Sequence, residues 1–304
     1  MDVKLSVVIP AYNEENSIIP TYKELIPVLS SLSISYEIIF VDDGSKDKTA
    51  EVINSLENVR LIQHSQNKGY GAALKSGIKS ARGYYILITD ADGTYPVSEI
   101  PRLVQYMGSY DMVVGARTGQ DVNIQLYRKP AKLFLKKLAN YLTGTNIPDL
   151  NSGLRIFKKD DAIKYFNIIC DGFSFTTTIT LSFLCNNLSI KYVPINYHCR
   201  VGKSKIKPFK DGLNFILLII NTITYFNPLK VFLPISLAFF LGGVFVFSYS
   251  VLFLKIIFDS TVLIFIVSSV QILLFGLLAD LNVKKSSELM RYFSEKGSES
   301  GNEM

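Results

Sequence analysis

Tryptophan is absent from the 304 residues, histidine occurs twice and cysteine three times. Cys170, Cys185 and Cys199 are odd in number and match no metal or redox spacing. That excludes a disulfide framework and points to reduced, structural thiols. His64 and His198 stand apart from any metal partner, and both read as structural. The N-terminal MDVKLSVVIP has no positive n-region and no cleavage site, so no signal peptide is expected. Charge is missing from one region altogether. Val231–Leu254 carries none, nor does Ser260–Ala279, and only KIIFD lies between them.

What is present is apolar and basic. Hydrophobic residues make up 48% of the chain and the mean hydropathy is +0.25, an excess that collects after Gly212. The net charge is +6 with a pI near 9.0, which suits nucleic acid, an anionic membrane surface or phosphate-bearing substrates. Aromatics do not interleave with basic residues as in single-strand binders, so nucleic acid is not expected. The two uncharged stretches are long enough to cross a bilayer as helices and hydrophobic on all sides, unlike core helices. Two spans form a hairpin with both flanks on one side. Arg200, Lys203, Lys205, Lys207, Lys210 and Lys230 precede it, and Lys284, Lys285 and Arg291 follow it. The positive-inside rule then puts the large domain and the C-terminus in the cytoplasm, at the cell membrane of a prokaryote or the ER membrane of a eukaryote. Residues 208–228 are expected to form an interfacial helix ended by Asn227-Pro228. Residues 283–304 are expected to form a tail with a disordered end.

The first 207 residues read as an α/β domain. Leu5–Ile9, Glu37–Val41, Arg60–Gln63 and Tyr84–Thr89 are strand-like, and Ser17–Ser31 and Gly71–Ala81 between them are helix-like. Alternation of this kind predicts a mainly parallel, Rossmann-like sheet with helices on both faces and ligands at the carboxyl ends of the strands. Three polar motifs fall at those ends: PAYNEE, DDGS and DADG. Asp90 and Asp92 share a side if the chain leaves the strand extended, and together they would clamp a divalent cation, Mg²⁺ or Mn²⁺, on a diphosphate. The bland alternative is a solvated Asx turn. One of Asp42 and Asp43 can accept hydrogen bonds from a base or ribose while the other fixes the Gly44-Ser45 turn. NKGYGAALKSG suggests a phosphate-cradling glycine loop, but Leu74 stands where a dinucleotide fingerprint needs its third glycine.

VVIPAYNEE, FVDDGSKDKT, NKGYGAALKSG, DADGTYP, GAR, NSGLRIF and RVGKSK, in that order, resemble family 2 glycosyltransferases of the GT-A fold, in the polyprenyl-phosphate branch that includes dolichyl-phosphate mannose and glucose synthases. The resemblance covers about residues 3–210, and the two-span tail matches bacterial and archaeal members. It implies an inverting enzyme that moves a hexose from a nucleotide-sugar of the GDP-mannose or UDP-glucose type to a polyprenyl phosphate at the bilayer. It implies that Pro10, Tyr12 and Glu14 pack around the nucleotide, that Asp43 contacts the base with Asp42 beside it, and that Asp90, Ala91 and Asp92 form the metal motif with Asp92 the principal ligand. Arg117 matches an arginine that holds the acceptor phosphate, with Arg128 and Lys132 as further contacts and Asp92, Arg117 and Arg128 as the catalytic set. Arg200, with Lys205, falls where basic residues meet the donor diphosphate.

Two departures matter. Thr94 stands where many mannose synthase relatives carry a glutamine. Without tryptophan there is also no Gln-x-x-Arg-Trp motif, so a single transfer is expected rather than polymer synthesis. Asp171, in DGFSFTTTITL, sits where other family 2 enzymes place an acceptor-side base, although capping the following helix is its blander role. The competing readings are transfer to another lipid or glycan acceptor, and a non-catalytic module that recruits partners to the membrane. The oligomeric state is not legible.

Overall fold

The computed structural model describes residues 3–118, 129–197, 208–254 and 259–300. The chain divides into two compact units, Met1–Ile219 and Ile220–Met304. The first is built on strands β1 (Leu5–Ala11), β2 (Tyr36–Asp42), β3 (Val59–Gln63), β4 (Tyr85–Ile88), β5 (Met112–Ala116), β6 (Arg155–Lys158) and β7 (Ile190–Pro194). Its helices are α1 (Ile18–Ser30), α2 (Thr49–Asn54), α3 (Tyr70–Ser80), α4 (Ile100–Val104), α5 (Lys129–Thr143), α6 (Lys159–Ile163) and α7 (Phe175–Cys185). Then follow α8 (Pro208–Phe226), which runs from the first unit into the second, α9 (Leu229–Tyr249) and α10 (Asp259–Ser300).

The seven strands form one sheet in the order β3-β2-β1-β4-β6-β5-β7. The four expected strands and both expected helices are present within one or two residues, β1 running on to Ala11. Val7 and Ile9 of β1 pack with Ile18, Leu25 and Leu29 of α1, whereas Val8 packs with Leu74 and Ile78 of α3 on the other face. A strand covered on both faces must be apolar at consecutive positions, which is why LSVVI does not alternate. Each such fully buried aliphatic side chain is worth about 1.5–3 kcal/mol.

One strand breaks the parallel pattern. β6 runs antiparallel to both β4 and β5, while β1 with β2, β1 with β4, β2 with β3 and β5 with β7 are parallel. Its first residue, Arg155, therefore pairs with Ile88 and lies at the carboxyl edge of the other strands. The segment that leads into β6 is delivered to the same edge as PAYNEE, DDGS and DADG.

In the second unit, two helices are long and apolar enough to cross a membrane, Leu229–Phe253 and Ser260–Lys285. Both carry large exposed apolar side chains, and Phe245, Leu252 and Phe253 of the first are each 69–72% exposed. That pattern is compatible with helices facing lipid. Between α9 and α10, Ser236 Oγ donates to the Ser269 carbonyl at 2.9 Å and Ser269 Oγ returns a bond to the Ser236 carbonyl at 3.0 Å. α10 continues past the expected boundary at residue 279, through polar residues to Ser300.

Candidate active site

β4 ends at Ile88, so Asp90 and Asp92 lie on the turn beyond it. Each carboxylate has its Oδ1 held by a protein hydroxyl. Tyr70 donates to Asp90 Oδ1 at 2.9 Å, and Thr94 Oγ1 donates to Asp92 Oδ1 at 2.6 Å, joined by the Thr94 N–H at 3.1 Å. The Asx-type turn is thus present, and it orients Asp92. Thr94, in the place of a glutamine, acts on the second carboxylate and is itself buried. Between the two acids, Ala91 is buried and its carbonyl accepts a bond from Thr21 Oγ1 of α1 at 2.9 Å. Burial, followed by the charges of Asp90 and Tyr95, pushes the Tyr70 hydroxyl well above its ordinary value, so it remains a donor.

Gly153 lets the backbone before β6 pack closely on Asp90: a Cβ there would lie 3.0 Å from Asp90 Oδ2 and 3.0 Å from the Tyr95 ring. Two carboxylates oriented by hydroxyls are hard-oxygen donors that fit Mg²⁺ or Mn²⁺, ions that keep waters and take one or two carboxylates plus phosphate oxygens. Among the described residues no three His, Cys, Asp or Glu converge on one point.

The segment Asp149–Gly153, before β6, is pinned at every residue but one. Asp149 takes both the Nε (2.8 Å) and Nη2 (2.9 Å) of Arg117. Asn151 Oδ1 accepts from Thr177, Ser152 Oγ donates to the Gly115 carbonyl, and the Gly153 N–H reaches the Tyr95 hydroxyl at 2.6 Å. Burial opposes the charge on Asp149, but the Arg117 hydrogen bonds and charge outweigh it and hold its pKa down at about 2. Burial likewise works against the Arg117 charge, and the bonds and charge from Asp149 again prevail, raising its pKa. The Tyr197 ring lies 5.2 Å from the Arg117 guanidinium and 5.2 Å from the Tyr95 ring. Tyr95 thereby connects the arginine to the Asp90 side of the site.

Arg155, which reading the sequence does not single out, is fully buried. Its guanidinium donates to the carbonyls of Ser152 and Thr176 and to Thr180 Oγ1, and no described carboxylate lies within ion-pair distance. The signal available was NSGLRIF, an arginine inside an apolar run.

At the β1–β2 edge the loops interlock. Asn13 N–H donates to Ser45 Oγ, Lys46 N–H to Asn13 Oδ1, and Glu14 N–H to Thr49 Oγ1. Pro10 is buried in β1, and Tyr12 and Glu14 are half-buried at the strand's end. Asp42 fixes the turn through the Ser45 N–H, as one of the two acids was expected to. Asp43, expected to contact the base, is bonded to the protein's own groups. His64 Nδ1 lies 2.7 Å from its Oδ1, the Lys68 N–H donates to the same oxygen, and the Gly69 N–H donates to Oδ2. At 3% exposure it serves the protein's own loop.

The glycine loop has a packing role. A Cβ at Gly71 would collide with the Cys170 carbonyl, and one at Gly69 would come within 2.8 Å of the Asp171 carbonyl. The Gly71 and Ala72 N–H groups donate to the Gly172 and Asp171 carbonyls. Asp171 itself is ion-paired with Lys75 at 2.6 Å. Arg128, Arg200 and Lys205 lie outside the described residues, as do His198 and the side chain of Lys132.

The model of the family described as Glycosyl transferase family 2 matches residues 6–166, and that described as GtrB C-terminal hairpin matches residues 227–281. The chain is 30% identical to the dolichyl-phosphate beta-glucosyltransferase of Dictyostelium discoideum, over 70% of this chain and 71% of that protein. It is 31% identical to the low-salt glycan biosynthesis hexosyltransferase Agl6 of Haloferax volcanii, over 73% of this chain and 54% of that one. It is 36% identical to the undecaprenyl-phosphate 4-deoxy-4-formamido-L-arabinose transferase of Aeromonas hydrophila, over 52% and 50%. The chain thus spans about half the length of the latter two relatives. Among solved structures it resembles Mycobacterium tuberculosis glucosyl-3-phosphoglycerate synthase in complex with Mn²⁺, UDP and phosphoglyceric acid. The TM-score is 0.57 at 18% identity, over 73% of this chain and 78% of that one, a likeness of fold. The chain belongs to glycosyl transferase family 2, with a GT-A domain followed by a GtrB-type C-terminal hairpin.

Proposed function

We propose that this protein is an inverting hexosyltransferase that moves one hexose from a nucleotide-sugar to a polyprenyl phosphate. The observation that carries the reading is the pair of hydroxyl-oriented carboxylates, Asp90 and Asp92, on the same sheet edge as the guanidinium of Arg117. Relatives named for dolichyl-phosphate and undecaprenyl-phosphate transfer support it.

Asp90 and Asp92 are the residues that would hold Mg²⁺ or Mn²⁺, whose charge stabilises a leaving nucleoside diphosphate. Pro10, Tyr12 and Glu14 border the nucleotide, and Asp43 holds the Lys68–Gly69 turn beside it. Arg200 and Lys205 meet the donor diphosphate. The acceptor phosphate is an anion at neutral pH, so its attack requires no general base. It requires cations that place it near the anomeric carbon. Arg117, held by Asp149, suits that role because a guanidinium with its orientation fixed does not reorganise during the reaction. Arg128 and Lys132 add to the acceptor site. The ion pair of Asp171 with Lys75 supports a structural role for that acid, which favours a phosphate acceptor over a glycan acceptor. The apolar hairpin anchors the chain in the bilayer, with the catalytic domain and the C-terminus cytoplasmic, and α8 lies in the interface.

The test is to incubate membranes carrying the protein with labelled UDP-glucose or GDP-mannose, polyprenyl phosphate and Mn²⁺. Chloroform-soluble, mild-acid-labile label from one donor is expected. Label absent with both donors, or undiminished in Asp92→Ala membranes, refutes the reading.

A further inference from the structure

The carboxylate of an aspartate turns in a broad, shallow torsional well, so an acid on a turn needs a donor to set its plane. Asp92 receives one from its neighbour Thr94. For Asp90 a donor comes from a different element, the tyrosine that opens α3.

That tyrosine is firmly held. Asp43 accepts the Gly69 N–H at 2.8 Å just before it. The Ala72 N–H reaches the Asp171 carbonyl at 2.8 Å just after it, and Lys75 on the next turn is ion-paired with Asp171. The Tyr70 ring packs beside Phe173, centroids 6.3 Å apart, and against the core that includes Leu74 and Ile78. A phenol has two torsions, and here the core about Leu74 and Ile78 restricts both, the exposed Phe173 being only an outer contact. The glycine loop, which lacks the dinucleotide fingerprint, acts as the mount for this hydroxyl. Gly69 and Gly71 let α3 sit flush on residues 170–172, and that seating sets the distance from Tyr70 to Asp90.

We infer that Tyr70 is a positioning residue for the divalent cation, fixing the plane of the Asp90 carboxylate from the α3 N-terminus. This rests on the proposal that Asp90 and Asp92 hold a metal. Hydrogen-bond partners of ligating carboxylates typically contribute 10–100-fold in metal affinity.

The test uses the full chain in detergent and Mn²⁺ alone as the probe, with the unbound ion followed by electron paramagnetic resonance and repeated with UDP present. Tyr70→Phe keeps the ring and removes the hydroxyl. The expected result is Mn²⁺ affinity about 10-fold weaker, an altered spectrum of the bound ion and an unchanged unfolding temperature. Phe173→Leu, which trims only the outer contact and leaves the core side of the ring and its hydroxyl in place, is expected to bind Mn²⁺ as the wild type does. Wild-type affinity in Tyr70→Phe overturns the inference, as does an equal loss in Phe173→Leu or a Tyr70→Phe chain that no longer folds. Asp92→Ala separates the two claims. If it binds Mn²⁺ as the wild type does, or the wild type binds none, the metal reading itself has failed and Tyr70 falls with it. If only Asp92→Ala loses affinity, the metal reading stands and Tyr70 is excluded.

Discussion

Arg117 and Asp149, 32 residues apart, meet in a two-pronged ion pair, with Nε and Nη2 of the arginine at 2.8 and 2.9 Å from the two carboxylate oxygens. The backbone N–H of Arg117 adds a third bond at 3.0 Å. The pair fixes the residue proposed to hold the acceptor phosphate, and it ties the end of β5 to the segment before β6. Breaking a largely buried pair from one side leaves the other charge uncompensated, at a cost of about 3–5 kcal/mol. Asp149→Ala is therefore expected to lower the unfolding temperature of the solubilised chain and to reduce sugar transfer. A variant with normal activity would show that Arg117 needs no such support.

The same pair makes stability depend on pH. Asp149 falls from an ordinary 3.8 to about 2 in the folded chain, so the unfolded state binds the proton first as pH drops. The contribution, about 2 kcal/mol, is complete above about pH 4 and is lost as pH falls toward 2. Urea midpoints for wild type and Asp149→Asn should differ most at pH 5 and converge near pH 2. A gap that stays constant over that range contradicts the assignment.

Arg155 is a buried cation held by carbonyls and a hydroxyl. Arg155→Met removes the guanidinium donor of the Ser152 carbonyl, whereas the Thr176 carbonyl keeps the Thr180 hydroxyl at 2.8 Å. A loss of about 1–3 kcal/mol is expected in denaturant unfolding. A neutral result would mean that water replaces the guanidinium.

Gly71→Ala forces a methyl group into the Cys170 carbonyl, whereas a Cβ at Gly172 meets only the Cys170 sulfur at 3.6 Å. Overpacking of the first kind costs about 1–3 kcal/mol. Thermal melts should show Gly71→Ala clearly destabilised and Gly172→Ala nearer to wild type. Equal melting would remove close packing as the reason for the glycine.

The serine clasp between α9 and α10 is expected to contribute little, roughly 0.6 kcal/mol for an interhelical hydrogen bond in a membrane protein. Ser236→Ala and Ser269→Ala each remove one hydroxyl-to-carbonyl bond, and the unfolding free energy of each single variant measures it. A loss of several kcal/mol from either would contradict that expectation.

The parts of the fold visible in the sequence are those set by local pattern. LSVVI and EIIFV declare buried strands by their unbroken apolar runs, and Val231–Leu254 declares a span by the absence of charge. The parts that were not visible depend on long-range pairing. Nothing near RIFK announces that β6 runs against its neighbours, and nothing in PDLNSG marks Asp149 as the partner of Arg117. Asp43 follows a strand at the binding edge, which is legible. Its protein partners, His64, Lys68 and Gly69, lie more than 20 residues away and fold back onto it. Thr94 is legible as a replacement of glutamine, but not that its hydroxyl orients Asp92. In each case residue type and position at the sheet edge were legible, while the occupancy of the oxygens was not.

The central claim is a single inverting transfer onto a lipid phosphate. The most direct measurement is the structure of the lipid product, obtained by mass spectrometry and nuclear magnetic resonance after incubation with an α-linked nucleotide-hexose and polyprenyl phosphate. The expected product carries one hexose per lipid, joined to phosphorus through a β-glycosidic bond, and none forms with Asp92→Ala. An α-linked product, a chain of several sugars, or a hexose attached anywhere but to the phosphate contradicts it.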